Sequence, residues 1–441
     1  IKIENMIEIQ TDTIGMSRMH AEREEKMSLQ NKGALFGTRY RVIVTTDIGG
    51  SDYDDYQSMV HYLLYSDLFD TEGLISSAWG DGRVDDILEI IDAYEKDYPK
   101  LKKYSEQYPT PEYLRSITKQ GAIEVAPYKG YAESTTASEL IIQSALKEDD
   151  RPLYILGWGL LEDIAQALHD APQIRDKIRI NYVGGPNKKW GLNAYEYILR
   201  EFPDVWMIED NSSFMGWFVG GNKSEDIENH KFVELYAKGH GALGDYFASE
   251  KLRRTVKMGD TPTVAWLLNG TPEIPENDSW GGRFERVWNR PHRTYHRNTT
   301  LEDKVEEFEV IEYIFDGPVQ PGTVEELDQK VFFRMIVEGQ SFPGYYCGNG
   351  EYRIRFMPKK VAKWKYVLES EIAELNGQSG ELESVPQSRE NRIDAGQGLK
   401  NWWADILDPE WKEGEHEGAR TINQYREAYL RDFAERFDRC L

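Results

Sequence analysis

The chain has 441 residues, and its 77 acidic side chains outnumber the 53 basic ones, which gives a formal net charge of −24. Such an acidic protein is a poor partner for nucleic acid or for an anionic membrane surface. No window approaches the roughly 18 apolar residues of a membrane helix, and two distant cysteines, Cys347 and Cys440, imply neither a disulfide framework nor a zinc cluster.

Residues 1–37 form a predicted N-terminal arm with a charged run at 21–26. They contain no apolar segment behind a basic one, so no signal peptide is predicted within the given sequence. A cytoplasmic location is therefore favoured. A secreted or periplasmic origin stays open, because an upstream signal could have been removed before Ile1.

Between residues 40 and 209, short apolar strands alternate with amphipathic helices. The first strand, at 40–46, is rich in β-branched residues, and the helix after it, at 56–65, repeats its apolar residues at helical spacing. Further strands are predicted at 73–77, 153–156, 178–183 and 205–208, and further helices at 84–94, 137–147, 160–168 and 194–202. Repeated strand–helix units of this length predict a parallel sheet that is covered on both faces.

The pattern changes after residue 300, where short alternating runs are separated by Gly and Pro. Strand-like runs occur at 305–315, 330–337, 352–356 and 364–368, before a polar loop at 387–398 and one amphipathic helix at 419–437. The predicted fold is α/β, a Rossmann-like and mostly parallel sheet with an inserted antiparallel β-sandwich. The predicted domains are a catalytic domain at 38–303, the sandwich at 304–387, and a helical return to the catalytic domain at 388–441.

The strongest motif is acidic and follows the first predicted strand. Asp47, Asp52, Asp54 and Asp55 fall within nine positions, in a segment that passes through two glycines and enters a helix. Like charges this close repel one another, and a divalent cation is the simplest compensation. Calcium prefers such oxygen ligands, although the spacing is not that of an EF-hand. The alternative is that these carboxylates cap a helix in water.

Other polar and aromatic residues follow the later strands. The carboxyl ends of parallel strands meet at one edge of a sheet, where ligands bind. We therefore expect Asp47, Trp79, Trp158, Asn187 and Glu209 to lie near one another. Carboxylates and amides suit polyhydroxylated ligands, and tryptophan faces suit the C–H faces of sugars. Ordinary packing is the alternative for the two tryptophans.

The segment TTDIGGSDYDD at 45–55 resembles the aspartate-rich signature of the nucleoside hydrolase superfamily. More specifically, the chain resembles the nucleoside-hydrolase-like family described as cellulose-binding. The matching segments cover most of 40–300 and 388–441. They include YILGWGLLEDIAQAL, VGGPNKKWG, GDTPTVAWLLNGTPE, NDSWGGRFE and ARTINQYREAYLRDFAERF.

This resemblance implies a calcium site and an enzyme that hydrolyses a glycosyl bond through a metal-activated water. The metal ligands that it implies are Asp47, Asp55 and Asp278, with the backbone carbonyl near Trp158. Asp47 would also take the proton from the water, and Asp54 would bind sugar hydroxyls. Asn187 and Asn193 lie in the loop that contacts the sugar in relatives.

The chain departs from nucleoside hydrolases at the leaving-group side. Those enzymes have a histidine directly before the last metal-binding aspartate, and here that position is Asn277. An asparagine cannot be a general acid, so Asn277 is predicted to contact the substrate instead. Thr45 replaces the first aspartate of the signature, so a nucleoside substrate is disfavoured. For an alcohol leaving group, we expect the acid to be Asp81, Glu209 or Asp210.

Residues 304–387 resemble a second family, the small β-sandwich of unassigned role that precedes glycoside hydrolase domains. The matching segments include VEEFEVIEYIFDGP, FFRMIVEG and LNGQSGELESVP. Five aromatic residues would either bind glycan and roof the active site or form the core of the sandwich. They are Tyr345, Tyr346, Tyr352, Trp364 and Tyr366.

The sequence therefore predicts a calcium-dependent glycoside hydrolase that acts on a sugar or glycoside from plant or microbial polysaccharide. The alternatives are a non-catalytic carbohydrate-binding protein and a nucleoside N-ribohydrolase. The expected partner is a carbohydrate or glycoside, without nucleic acid or a membrane span. A homo-oligomer is left open, because relatives of this fold commonly self-associate.

Overall fold

The computed structural model describes residues 32–77, 79–393 and 398–441, so the predicted arm at 1–37 lies almost entirely outside the described residues. The chain folds into two eight-stranded sheets. One is mostly parallel and flanked by helices, and the other is mostly antiparallel. The predicted fold class, a nucleoside hydrolase-like α/β sheet with a separate β module, is confirmed.

The elements are numbered here in chain order. The strands are β1 Tyr40–Thr46, β2 Phe69–Ser76, β3 Thr118–Gln120, β4 Leu153–Gly157, β5 Ile178–Val183, β6 Trp206–Asp210, β7 Phe284–Val287, β8 His292–Tyr295, β9 Lys304–Glu306, β10 Val310–Asp316, β11 Val331–Val337, β12 Gln340–Tyr346, β13 Glu351–Phe356, β14 Lys363–Ser370, β15 Ser379–Val385 and β16 Trp402–Asp405. The helices are α1 Asp54–Leu64, α2 Val84–Leu101, α3 Pro111–Ser116, α4 Thr136–Ala145, α5 Glu162–Asp170, α6 Pro186–Trp190, α7 Leu192–Glu201, α8 Asn229–Phe232, α9 Gly241–Phe247, α10 Thr261–Leu268, α11 Val324–Leu327, α12 Arg389–Ile393, α13 Arg420–Asn423 and α14 Arg426–Asp438.

The parallel sheet has the strand order β3-β2-β1-β4-β5-β6-β16-β7. The central strands β1, β4 and β5 are almost entirely buried, because helices cover both faces. The order reverses between β1 and β4, so the loops after these strands open a crevice at the carboxyl edge.

The C-terminal return differs from its prediction. It contributes a strand, β16, which pairs in parallel with β6 and antiparallel with β7. The single helix predicted at 419–437 is two helices, α13 and α14. Part of the loop predicted at 387–398 is the short helix α12, and residues 394–397 of it lie outside the described residues.

The second sheet folds over itself and encloses its own core. Tyr313 on β10 and Tyr366 on β14 have ring centroids 5.2 Å apart, although three strands separate β10 from β14 in the sheet order. Tyr346, Tyr352 and Trp364 are also buried in this core. The packing alternative is therefore correct for Tyr346, Tyr352, Trp364 and Tyr366, whereas Tyr345 is buried outside this core cluster. The sheet includes β8, so it begins before residue 304.

Among the described residues, none of the helices combines the length and the apolar character that crossing a lipid bilayer requires.

Candidate active site

An acidic cluster lies at the carboxyl end of β1. The strand ends at Thr46, and a hydrogen bond from the Gly50 N–H to the Asp47 carbonyl oxygen (2.9 Å) closes the following turn. The chain then enters α1, whose first two residues are Asp54 and Asp55. Carboxylates in the first turn of a helix are favoured by the helix dipole, which explains why this segment tolerates them there.

Asp260 completes the cluster from a distant part of the chain. It directly precedes α10, which has Pro262 in its first turn, a typical helix start. Oxygen atoms of Asp54, Asp55 and Asp260 lie within 4.8 Å of one another, and all three residues are buried. Asp47 contacts Asp55 and is only partly buried, because it faces the adjoining cavity.

The hydrogen bonds of the cluster leave one oxygen atom without a partner. Thr46 Oγ1 donates to Asp55 Oδ1 (2.5 Å), and the Gly259 N–H donates to Asp54 Oδ2 (3.2 Å). Asp260 Oδ2 is buried and has no hydrogen-bond partner within the described part of the chain. An unsatisfied buried carboxylate oxygen is costly unless a ligand or ion contacts it.

Burial and mutual repulsion raise the pKa of every carboxyl group in the cluster. Burial is the main cause in each case. The pKa of Asp47 is raised to about 7 and that of Asp54 to about 6. The pKa values of Asp55 and Asp260 also lie well above the ordinary range, with repulsion from the neighbouring carboxylates adding to the effect. Lys257 Nζ, 3.6 Å from Asp54 Oδ1, offsets only part of this charge.

The donor set fits a hard divalent cation. Carboxylate oxygens are the ligands that Ca²⁺ prefers, and a cation would compensate the repulsion and contact the unpartnered Asp260 oxygen. Within the described residues, Asp54, Asp55 and Asp260 form the only group of three or more acidic, His or Cys side chains close enough to share an ion.

The structure does not bring Asp278, the predicted third ligand, into this cluster. Its Oδ1 is 3.4 Å from Arg283 Nη1, and it does not line the cavity next to the cluster. Asp260 occupies the place expected for Asp278. The signal was present in the sequence, because Asp260 directly precedes a proline-containing helix start, whereas Asp278 lies in a turn between α10 and β7.

Trp158 and Asn187 do lie beside the cluster. Asn187 Nδ2 donates to the carbonyl oxygens of Trp158 (2.8 Å) and Val183 (3.0 Å), which leaves Asn187 Oδ1 to accept from a ligand. The Trp158 indole is fully buried and donates to Thr263 Oγ1 (2.7 Å). The Trp158 ring is therefore part of the core, while its carbonyl faces the site.

Asn193 and Trp79 are not lining residues of this cavity, contrary to their predicted role as substrate contacts. Asn193 Nδ2 donates to the Ala126 carbonyl (3.0 Å), and its Oδ1 accepts from Arg355. Trp79 stacks on Trp190 with ring centroids 4.8 Å apart. Asn193 on α7 therefore contacts β13 of the second sheet through Arg355. Trp79 packs against α6 through Trp190.

Glu209 is a structural group instead of a substrate contact. It is fully buried, and its oxygens accept from Lys188 Nζ (2.8 Å) and Arg290 Nη2 (2.9 Å). Although burial opposes it, these two cations hold the pKa of Glu209 far below its usual value, so it cannot donate a proton. Asn277 lies in the turn after Ile274 and does not line the cavity either.

The other two expected general acids are also misplaced. Asp81 is exposed and Asp210 is buried in contact with Asp405, and neither lines the cavity. The proton donor expected from the sequence therefore has to be sought on another element.

The cavity beside the cluster has a volume of about 890 Å³ and lies between the two sheets. The carboxyl ends of the parallel strands contribute Asp47, Trp158 and Asn187. The opposite wall comes from the second sheet and from the C-terminal segment, with Glu307 and His416 among its side chains. The second sheet therefore forms one wall of the site. A roof over the active site was only one of the two alternatives that the sequence offered for this module.

Comparisons with known proteins give family matches for two parts of the chain. Residues 41–284, more than half of the chain, match the family described as cellulose-binding Sde182, nucleoside hydrolase-like domain. Residues 304–371 match a domain of unknown function, DUF5060. No curated protein matches the chain.

Solved structures with similarity to the chain include three of different kinds. A nucleoside hydrolase-related hypothetical protein from Saccharophagus degradans, associated with carbohydrate metabolism, is 19% identical over 79% of this chain and 100% of its own, with a TM-score of 0.49. An inosine-uridine preferring nucleoside hydrolase from Bacillus anthracis is 18% identical over 57% and 86%, with a TM-score of 0.35. A putative glycoside hydrolase from Bacteroides vulgatus is 28% identical over 20% and 17%, with a TM-score of 0.18.

Proposed function

Because the chain belongs to the Sde182-like family of cellulose-binding, nucleoside hydrolase-like domains, we propose that it is a calcium-dependent hydrolase of glycosidic bonds in sugars or glycan-derived glycosides. The observation that carries this proposal is the buried acidic cluster beside an 890 Å³ cavity. A cavity of this volume is large enough for a small saccharide.

Of the three carboxylates that lie close enough to share an ion, Asp55 and Asp260 are proposed to hold calcium. Asp47, which contacts Asp55, is the third proposed ligand on the strength of the family resemblance, and the Trp158 carbonyl is the fourth. They combine three carboxylates with one backbone oxygen, a donor set that calcium uses. When bound, the ion supplies positive charge that favours the loss of a proton from water.

The side chains around the cation site supply the remaining chemistry. We assign Asp47, which faces the cavity, to accept the proton of the attacking water, whose oxygen forms a bond to the anomeric carbon as the bond to the leaving group breaks. Asp54 and Asn187 Oδ1 are assigned to accept hydrogen bonds from sugar hydroxyls. Both residues line the cavity; the Asn187 amide donates through Nδ2, and Asp54 Oδ1 lies 3.6 Å from Lys257 Nζ, beyond hydrogen-bond distance.

A nucleoside is a poorer fit than an alkyl or aryl glycoside. The residue before Asp260 is Gly259, so the histidine that the superfamily resemblance places there has no counterpart. A Cβ atom at position 259 would lie 2.5 Å from Asp54 Oδ2, so a side chain there would displace the Asp54 carboxylate. The family description supports a second candidate, a carbohydrate-binding protein that uses the same cavity without cleavage.

Calcium addition and a substrate panel test the proposal together. At 100 times its dissociation constant, a ligand of the folded state adds about 2.7 kcal/mol, which corresponds to a rise in Tm of about 3 °C for a chain of this length. We expect this rise in scanning calorimetry, and calcium-dependent release of aryl alcohol from aryl furanosides or pyranosides but little turnover of inosine or uridine. Calcium and saccharide binding without turnover of any glycoside would favour the binding protein instead, and no response to calcium would contradict the cation site.

Asp278→Asn is expected to leave calcium binding unchanged. Its carboxylate contacts Arg283 outside the cavity, so its removal takes no ligand from the proposed site. Isothermal titration calorimetry of the calcium-free protein should give a dissociation constant within about twofold of the original, since surface substitutions away from special contacts have small effects. A large loss of calcium affinity in this variant would restore the original ligand assignment.

A further inference from the structure

The short link between β9 and β10 is held in a strained conformation against the cavity. Phe308 has a φ of +62°, in the left-handed region that bulky residues rarely adopt. Three hydrogen bonds hold the strained link. The Glu307 N–H donates to the Val385 carbonyl (2.9 Å), the Phe308 N–H donates to the Pro358 carbonyl (2.8 Å), and Lys188 Nζ donates to the Phe308 carbonyl (2.9 Å).

This link delivers one carboxyl group to the cavity from the side of the second sheet. Glu307 lines the same cavity as Asp47, Asp54 and Asp260, but it belongs to the other sheet's wall. The acidic cluster and Glu307 therefore face one ligand space from two different elements. A reaction that needs one group on the water and another on the leaving group requires this kind of separation.

The surroundings of Glu307 come mostly from the C-terminal segment. The groups that act on it are Glu417, Lys412, Asp405 and Gln387. The titratable groups that share its wall of the cavity also include Glu415, His416, Lys359 and Lys360. Burial is the main cause that raises the pKa of Glu307 to about 7, and repulsion from Glu417 and Asp405 adds to it against the attraction of Lys412. A carboxyl group of this kind keeps its proton near neutral pH, as a general acid must.

The other titratable groups on this wall suit the role less well. Burial lowers the pKa of the His416 ring, so His416 is neutral at pH 7 and has no extra proton to give. Glu415 also lines the cavity, but it is exposed to solvent. The side chains of Lys359 and Lys360 also line the cavity, but both are exposed to solvent.

We propose that Glu307 is the general acid that protonates the leaving oxygen of the glycoside, an inference that rests on the glycosidase function proposed above. As the bond between the anomeric carbon and that oxygen breaks, the Glu307 proton moves to the oxygen and an alcohol departs. Water forms the new bond to carbon and gives its proton to Asp47. Proton exchange with solvent then restores both carboxyl groups, so the net reaction consumes one water.

The proposal is tested with Glu307→Gln and with Glu415→Gln as the matched control from the same wall. The substrates are a dinitrophenyl and an alkyl glycoside of whichever sugar the wild type cleaves. A dinitrophenolate leaves without protonation, so Glu307→Gln should reduce kcat/KM on it less than about threefold, but reduce it on the alkyl glycoside by about 10²–10⁴-fold. Glu415→Gln should change neither value by more than about twofold.

Two readouts do not depend on turnover. Calorimetric calcium affinity should be equal in wild type and Glu307→Gln, since Glu307 is not a proposed ligand. In protein labelled with ¹³C at the glutamate carboxyl, the resonance that is missing in Glu307→Gln should titrate near pH 7 in the wild type, whereas an ordinary glutamate titrates near about 4.3.

The outcomes separate the two proposals. Equal losses on both glycosides, or a Glu307 resonance that titrates near the ordinary value, would overturn the role of Glu307 while leaving the hydrolase function intact. A wild type that binds calcium and saccharide but cleaves no glycoside would overturn the hydrolase function, and the role of Glu307 with it.

Discussion

Replacing Asp260 with asparagine is expected to lower kcat/KM for a glycoside by about 10³-fold or more and to abolish the calcium-dependent rise in Tm. Asp260 is the residue of the cluster with a buried oxygen that has no hydrogen-bond partner in the described chain, and it lies within 4.8 Å of the oxygens of Asp54 and Asp55. An amide supplies at most a neutral oxygen there, so the site loses one of its negative charges. Activity assays and calorimetry with and without calcium measure the two effects.

The same substitution should have the opposite effect on the calcium-free protein. The pKa of Asp47 is raised by burial to about 7, and that of Asp260 is raised well above its usual value. Carboxyl groups with raised pKa values contribute stability below about pH 4, and this stability is lost as the pH rises through about 7. At pH 8 in chelator, Asp260→Asn removes one of the repelling charges and should raise the free energy of unfolding by about 1–3 kcal/mol.

The pH dependence provides the control for that result. At pH 5 the raised carboxyl groups are largely protonated in the folded protein, so the gain from Asp260→Asn should shrink or vanish. Asp278 lies outside the cluster, so the effect of Asp278→Asn on the free energy of unfolding should not differ between pH 5 and pH 8 through repulsion within the cluster. Urea unfolding in chelator at the two pH values measures both variants, and an Asp260→Asn protein that is less stable than wild type at pH 8 would contradict the account of a repulsive cluster.

The parallel sheet was predictable because its signals are local. Strand β1 was predicted at 40–46 and is observed at Tyr40–Thr46. A short β-branched apolar run between a polar segment and two glycines is typical of a buried strand. Its neighbours β4 and β5 follow the same rule. The edge position of Asp47 and Asn187 then follows from parallel topology alone, since all the strands of one parallel array end at the same edge.

The strand β16 could not be predicted in the same way. It has only four residues, and it lies between β6 and β7, which are far from it in sequence. Its stability comes from its two neighbours and not from its own pattern, because β propensity reflects packing in a sheet. Asp260 was not predicted as a ligand for a related reason, since the two matching segments GDTPTVAWLLNGTPE and NDSWGGRFE each contain an aspartate and only the helix start at α10 distinguishes them.

Glu209 illustrates what sequence position leaves undetermined about a side chain. It lies near the carboxyl end of β6, at the functional edge where ligand-binding residues occur, yet it is fully buried. Its partners come from four other segments of the chain: Lys188, Tyr195, Arg290 and Trp402. A network assembled from such distant residues carries no local signal, so only the three-dimensional structure separates a buried ion-pair centre from a substrate contact.

Removing this carboxylate should therefore affect folding instead of ligand binding. Truncation of one partner of a buried charge network typically costs about 3–5 kcal/mol, because the remaining charges stay buried. We expect Glu209→Ala to lower the free energy of unfolding by that amount in urea titrations, whereas Glu201→Ala, at an exposed position on α7, should change it by less than about 0.5 kcal/mol. A Glu209→Ala protein of normal stability with weakened saccharide binding would return Glu209 to the substrate site.

The isosteric variant Glu209→Gln adds a test based on pH. It keeps the volume of the side chain but takes the negative charge away from Lys188, whose pKa burial already lowers to about 8 with Glu209 in place. Without that carboxylate the pKa of Lys188 in the folded protein falls further. The unfolded protein binds a proton at Lys188 more tightly than the folded variant does, so the variant loses more stability as the pH decreases. The loss of stability in Glu209→Gln should therefore be larger at pH 6 than at pH 9, where Lys188 is neutral in the folded protein. A loss that is the same at both pH values would mean that the Glu209 charge does not act through Lys188.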